Sequence, residues 1–344
     1  MKKVVFALLL IAGLLLAGCG ARADAAAHTR TVLAMDTVMT LTAYGENADA
    51  ALAAAETEIR RLDALLARGE PESAVYALNH NGYLDADSGG EVEALLTLAA
   101  ELADATDGAF DPTVALLLEL WGFGGGAEKH RVPSPEELDV ARSFVGMGHV
   151  HRSADGQSVT LDLPAQIDFG GVAKGFTGAR AIEILRERGV TGATLDLGGD
   201  VALLGAKPDG SAWRVAVRDP ADGEAYLGVL ETAGDVFVMT SGVYERYFEE
   251  NGVRYHHILD PKTGSPADSG LVSATVVCAD GAWADALATA CCVLGEDGAL
   301  ALRAHLADTT PFDLILVTDD ARVRCTTEAF APETGNGYTY ELIG

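Results

Sequence analysis

Positive charge is scarce in this chain. Its 344 residues carry 24 lysines and arginines against 51 aspartates and glutamates, a formal net charge of −27. A surface that negative repels nucleic acid and anionic headgroups, so no nucleic acid is expected as a partner. Any phosphate the protein binds therefore needs local help, from a metal ion or from backbone N–H groups. Cysteine is also sparse: Cys19, Cys278, Cys291, Cys292 and Cys325 match no zinc spacing. Cys291-Cys292 lies in an apolar helical run and reads as a pair of core thiols, so no disulfide framework is expected. Repeats and linkers are missing too, which excludes a solenoid or a chain of loosely joined modules. Hydrophobic residues make up 49% and charged residues 22%, the composition of a globular chain with a substantial core.

One long apolar run exists, at residues 4–16, and it is too short to span a bilayer comfortably. It follows Met1-Lys2-Lys3 and ends Leu16-Ala17-Gly18-Cys19, which resembles a bacterial lipobox. The alternative is an ordinary secretory signal with an incidental cysteine. The lipobox implies that residues 1–18 are a lipoprotein signal peptide and that Cys19 is lipidated. Residues 19–29 then form a flexible tether, and residues 30–344 the folded domain. The protein is expected outside the cytoplasm, lipid-anchored to the bacterial cell membrane on its periplasmic or extracytoplasmic face.

The pattern along the domain is α+β. β-Branched alternation predicts strands over residues 31–44, broken near Met35-Asp36, and helical spacing follows over 47–67 and 90–106. Ser134-Pro135-Glu136-Glu137 is a helix start, with an N-cap, proline at the first position and glutamate three residues on. A strand pair (147–153, 158–163) precedes a helix at 174–188 that stops at Gly189. Strands follow at 193–204, 212–218, 225–231, 236–240 and 271–279. Helices at 282–294 and 296–306 and strands at 313–318 and 322–326 close the chain. The expected fold is a single large domain, a mixed or antiparallel sheet with an N-terminal helical lobe packed on it.

Several segments carry candidate chemistry. In Asp168-Phe169-Gly170-Gly171-Val172-Ala173-Lys174 a strand runs through paired glycines into a helix whose first turn holds a lysine. Such helix starts bind phosphate through free N–H groups. The Walker spacing is absent, and a plain tight turn explains the glycines as well. Asp285 and Thr289 are four residues apart on one face of an apolar helix. A carboxylate and a hydroxyl together suit a hard cation such as Mg²⁺, unless Thr289 merely bonds back to the Asp285 carbonyl. Thr240-Ser241-Gly242-Val243-Tyr244-Glu245-Arg246 offers Arg246 to a phosphate or to an internal salt bridge. In Gly108-Ala109-Phe110-Asp111 and Leu120-Trp121-Gly122-Phe123, the aromatic rings can be core or can flank a planar ligand. Leu195-Asp196-Leu197-Gly198-Gly199-Asp200 passes into a bend where backbone approaches a ligand closely. His256 and His257 can be metal ligands, an acid–base pair or polar residues at a strand end.

Taken in order, MDT, SAVYALN, GAFDPT with LWGF, IDFGGVAKG, LDLGGD, TSGVYERY, YHHILDPKTGSP and ADALAT make the chain resemble the ApbE family, the FAD:protein FMN transferases, whose fold is related to the T-fold. The segments run from about residue 31 to 295. The resemblance implies Mg²⁺-dependent transfer of FMN from FAD to a Thr or Ser hydroxyl of another exported protein, with AMP released. It places Mg²⁺ on Asp285, Thr289 and the Ala173 carbonyl, and Lys174 near the phosphates. Met35, Ala109, Phe110 and Asp111 would line the FAD pocket, and His257 would be the acid–base residue, with His256 facing away. The acceptor would bear a Ser/Thr-Gly-Ala-Ser/Thr signature. Thr191-Gly192-Ala193-Thr194 matches it here, but reads better as a turn entering a strand. The chain departs from the family pattern at Ala179, where an aspartate is common, and at Gly69, where a tyrosine is expected. The rival activities are hydrolysis of FAD to FMN and AMP, and flavin binding without chemistry.

Overall fold

A computed structural model describes residues 26–124, 129–156 and 158–343, with backbone alone at 86–89. The signal peptide, Cys19 and most of the expected tether lie outside the described residues. Nine strands form one mixed sheet whose spatial order follows the chain. They are Ala27–Ala34, Thr37–Tyr44, Gly192–Asp196, Val201–Gly205, Val236–Gly242, Leu271–Cys278, Phe312–Thr318, Arg322–Cys325 and Thr339–Leu342. Neighbours are antiparallel except the last two, which run parallel. The first strand starts at Ala27, paired with Tyr44, so residues 27–29 belong to the sheet and not to the tether.

Alternation along the strands sends side chains to two separate layers. Met239 faces the helices and Val238 the opposite side. Helices Ala48–Leu66, Ala173–Glu187 and Gly281–His305 cover the first face. The helix at 48–66 turns Ala48, Ala51, Leu52, Ala55, Ile59, Leu62 and Leu66 inward, a helical stripe. Each large aliphatic side chain buried this way contributes about 1.5–3 kcal/mol. On the other face lies a three-stranded sheet made of Trp213–Asp219, Asp222–Thr232 and Phe330–Pro332. Its Trp213, Val215 and Val217 pack against Val238, Ile315 and Val317. A third apolar cluster gathers Leu117, Trp121, Phe123 and Leu259 under Phe248 and Tyr255.

The α+β expectation holds, with local differences. The strand expected at 193–204 is a hairpin: Asp196 pairs with Val201, and residues 197–200 form the bend. Gly198 and Gly199 supply it with φ of 90° and 104°, which a β-branched residue cannot adopt cheaply. The helices expected at 282–294 and 296–306 do part at Gly295, whose φ of 75° and ψ of −177° break the helical path. Several elements are additions to the sequence pattern, helix Ala115–Trp121 and strand Thr339–Leu342 among them. Helix Ala74–Asn81 is capped by the Ser73 side chain and ended by Gly82, and the hairpin Tyr247–Glu250/Val253–His256 turns at Asn251-Gly252.

Candidate active site

Two helices meet head to head at the site. Gly175, in the first turn of helix 173–187, and Gly281, at the start of helix 281–305, touch backbone to backbone. A Cβ on Gly175 would lie 2.0 Å from the Gly281 carbonyl oxygen and 2.8 Å from Cβ of Asp285. That crossing brings Asp285 beneath the helix start, where its Oδ2 accepts the Gly175 N–H at 2.8 Å. Asp285 is 5% exposed. Burial pushes its carboxyl above the usual carboxylate range, against the pull of the Lys174 charge, while Asp200 adds to the rise.

Thr289, one turn along the same helix, meets the Ser241 hydroxyl at 3.2 Å. Gly171 lies over this pair, and a Cβ there would come 3.2 Å from Thr289 Oγ1 and 3.3 Å from the Phe110 ring. The GAFDPT, IDFGG and ADALAT segments therefore converge on one point. Lys174 forms an ion pair with Asp200, which follows the Gly-Gly bend and whose Oδ1 accepts the Thr240 N–H at 2.7 Å. Burial lowers the Lys174 pKa, but the charges of Asp200 and Asp285 outweigh it and hold the ammonium above the ordinary lysine value. Buried Asp200 and Asp285 thus share the Lys174 charge, with exposed Glu245 farther out.

This donor set fits a hard divalent cation. Asp285 and Thr289 offer oxygens on one helix face, and the carboxylates around Lys174 exceed the local positive charge. Mg²⁺ is commonly held by one or two carboxylates and completed by water and substrate phosphate, so the residues present suffice. Among the described residues no cluster of three or more His, Cys, Asp or Glu forms a metal cage.

The turn before the helix is pinned from outside. Asp168 pairs with Arg68 at 3.0 Å through one oxygen and takes the Gly170 N–H at 2.6 Å with the other. Buried Asn79 clamps Ile167 on both sides: its amide donates to the Ile167 carbonyl at 2.8 Å and accepts the Ile167 N–H at 2.7 Å. Neither contact is foreshadowed in the sequence pattern, since the partners lie far apart in the chain, although both residues sit in or beside recognised segments.

Met35 and Asp36 form the tip of the first hairpin, with φ of 51° and 58°, unusual for residues with side chains. The Met35 N–H is held by Asp63 at 2.8 Å. Thr37 packs on the Gly-Gly bend so tightly that a Cβ on Gly198 would meet its Oγ1 at 2.1 Å. The tip thus sits beside the loop that carries Asp200. Ala109 and Phe110 are buried. The Asp111 Oδ1 accepts the Thr113 N–H at 2.8 Å and its hydroxyl at 2.5 Å. Burial raises the Asp111 pKa despite those bonds.

The two histidines part at the end of the strand, His256 as its last residue and His257 in the bend beyond it. His256 is buried, with Nε2 at 3.0 Å from the Ala267 carbonyl. His257 is half-buried, its Nδ1 at 3.2 Å from the Arg246 carbonyl and its ring edge-on to Phe123. Burial, then the charge of Arg246, pushes His257 down to about 4, with Lys174 adding a smaller push. At neutral pH it is an uncharged imidazole able to take a proton. Arg246 itself donates to the Phe123 carbonyl at 3.1 Å. Trp121 is core, with its indole N–H on the Gly264 carbonyl at 2.8 Å. Of the two departures, Ala179 packs on the main core and Gly69 faces open space.

Residues 35–311 match the profile of the ApbE family. A protein of Vibrio cholerae named FAD:protein FMN transferase is 35% identical over 68% of this chain and 69% of its own. One of the same name from Treponema pallidum is 33% identical over 89% of this chain and 88% of its own. The crystal structure of an ApbE protein from Thermotoga maritima superposes with a TM-score of 0.78 at 34% identity, covering 86% of this chain and 95% of that one. The chain belongs to the ApbE family.

Proposed function

We propose that the protein is an FAD:protein FMN transferase, acting with Mg²⁺ on FAD and on a Ser or Thr hydroxyl of an exported protein. Support comes from the shared name of its relatives and, on the molecule, from the junction at Gly175. There Asp285, Thr289 and Lys174 converge, a carboxylate, a hydroxyl and an ammonium that suit a metal-bound pyrophosphate on a chain of net charge −27. Asp285, Thr289 and the Ala173 carbonyl would hold Mg²⁺, which neutralises phosphate charge when bound. Met35, Ala109, Phe110 and Asp111 border the space for FAD, with Lys174 beside its phosphates.

The acceptor hydroxyl attacks the FMN-side phosphorus of FAD and forms a phosphoester. The bond to the bridging oxygen breaks, and AMP leaves with that oxygen. The hydroxyl proton passes to His257, which is neutral and therefore able to accept it. His256, bonded to Ala267, holds the strand end in place. The acceptor carries a Ser/Thr-Gly-Ala-Ser/Thr signature, and the enzyme is exported and tethered to the cell membrane through Cys19. Thr191 to Thr194 of this chain read as the turn into a strand, with Gly192 and Ala193 buried where it begins.

Asp285→Ala tests the assignment. It should abolish Mg²⁺-dependent AMP release from FAD and remove the Mg²⁺-induced rise in melting temperature expected of the wild type. Turnover that survives this substitution would show that the metal is held elsewhere.

A further inference from the structure

We propose that Asp200 is a positioning residue that fixes the Lys174 ammonium against the pyrophosphate of FAD. The proposal rests on the FAD-dependent function above. Lysine is a mobile point charge on a four-carbon stem, and an ammonium that wanders stabilises bound and reacting phosphate alike. Asp200 restrains it. The bend before Asp200 is locked, because the Asp196 carboxylate accepts the N–H groups of Gly198 and Gly199 at 3.0 and 2.9 Å. The Leu197 N–H closes the bend on the Asp200 carbonyl at 2.7 Å. That closure and the Thr240 N–H on Oδ1 hold the 2%-exposed residue from two directions, leaving Oδ2 for Lys174. The Lys174 side chain remains 25% exposed, so part of its ammonium is open to a ligand.

A fixed ammonium and an extra negative charge have separable consequences. Asp200→Asn keeps the volume and the acceptor for Thr240, but removes the charge that pins Lys174. The site becomes more positive by one charge and less ordered. FAD should therefore bind as tightly as before or more so, while kcat falls roughly ten- to a hundredfold, as expected when a catalytic group loses its placement. A purely structural aspartate would give the opposite split, with FAD binding weakened along with turnover.

The test is a double-mutant cycle with Lys174→Met, read by FAD calorimetry in the presence of Mg²⁺ and by kcat for AMP release. Asp200→Asn should lower kcat without raising the Kd for FAD, and should lower it no further in the Lys174→Met background. Weaker FAD binding in Asp200→Asn, or an equal loss of kcat in both backgrounds, overturns the proposal. If Asp200→Asn fails to fold, Lys174→Arg answers instead. It keeps the charge while moving the donor atoms, and should lower kcat with the Kd for FAD unchanged; an unchanged kcat overturns the proposal. A wild type that binds FAD without turning it over would sink the proposed function, and the proposal about Asp200 would then be judged on the calorimetry alone. In that case, weaker FAD binding by Asp200→Asn counts against it, and equal or tighter binding that Lys174→Met abolishes supports it.

Discussion

Gly175 and Gly281 cross with no room for a side chain between them, and a Cβ on Gly281 would lie 2.4 Å from the Gly175 carbonyl oxygen. The contact is backbone against backbone, so neither partner can swing aside. It sets the depth at which Asp285 meets the first turn of helix 173–187.

Gly175→Ala should therefore force the two helices apart. The expected cost is about 1–3 kcal/mol of stability, with loss of most FAD turnover as Asp285 leaves the Gly175 N–H. Urea unfolding checks it. Gly223→Ala, at a glycine with open space around it, should change stability by less than about 0.5 kcal/mol. Equal effects at the two sites would mean that the crossing does not constrain the site.

Asn79 is a second constraint, reached from 88 residues away in the chain. Asn79→Ala leaves both the N–H and the carbonyl of Ile167 buried without that partner. About 1–3 kcal/mol should be lost for each group left unsatisfied, and turnover should fall because the Asp168 turn follows directly. Asn79→Asp, which retains an acceptor but not the donor, should lie between Asn79→Ala and the wild type in urea unfolding.

The histidines separate by pH. His257 has a folded-state pKa pushed down to about 4, below the roughly 6.5 of a free imidazole. Its contribution to stability is thus complete above the unfolded value and is lost as pH falls through the folded one. Between those limits the wild type should lose up to about 3 kcal/mol that His257→Phe does not lose. The acid limb of kcat/KM should likewise lie near the folded value, well below the ordinary histidine range. His257→Ala should cut turnover and keep FAD binding. His256→Ala should instead lower the melting temperature, with turnover per folded molecule largely retained. An acid limb at the free-imidazole value would contradict the buried, neutral base.

Much of the fold and the site is legible in the chain, and the exceptions have physical causes. Asp285 and Thr289 declare themselves because a carboxylate and a hydroxyl one turn apart stand out on an apolar helix. The break at Gly295 and the turn at Met35-Asp36 are local, and local signals survive in sequence. Asp200 is visible only as the end of a glycine bend, since its partner Lys174 lies on another element and no periodicity links them. Arg68 with Asp168 and Asn79 with Ile167 are hidden for the same reason. The hairpin at 247–256 is different. Asn251-Gly252 is a strong turn signal, masked because the flanking residues Tyr247 to Glu250 and Val253 to His256 alternate only weakly in polarity.

The central claim concerns where the FMN goes. The soluble chain, incubated with FAD, Mg²⁺ and an acceptor domain bearing the Ser/Thr-Gly-Ala-Ser/Thr signature, should raise the acceptor's intact mass by one phosphoester-linked FMN, with AMP released alongside it. Release of AMP and free FMN with the acceptor mass unchanged would contradict the transferase assignment and leave a hydrolase of FAD in its place.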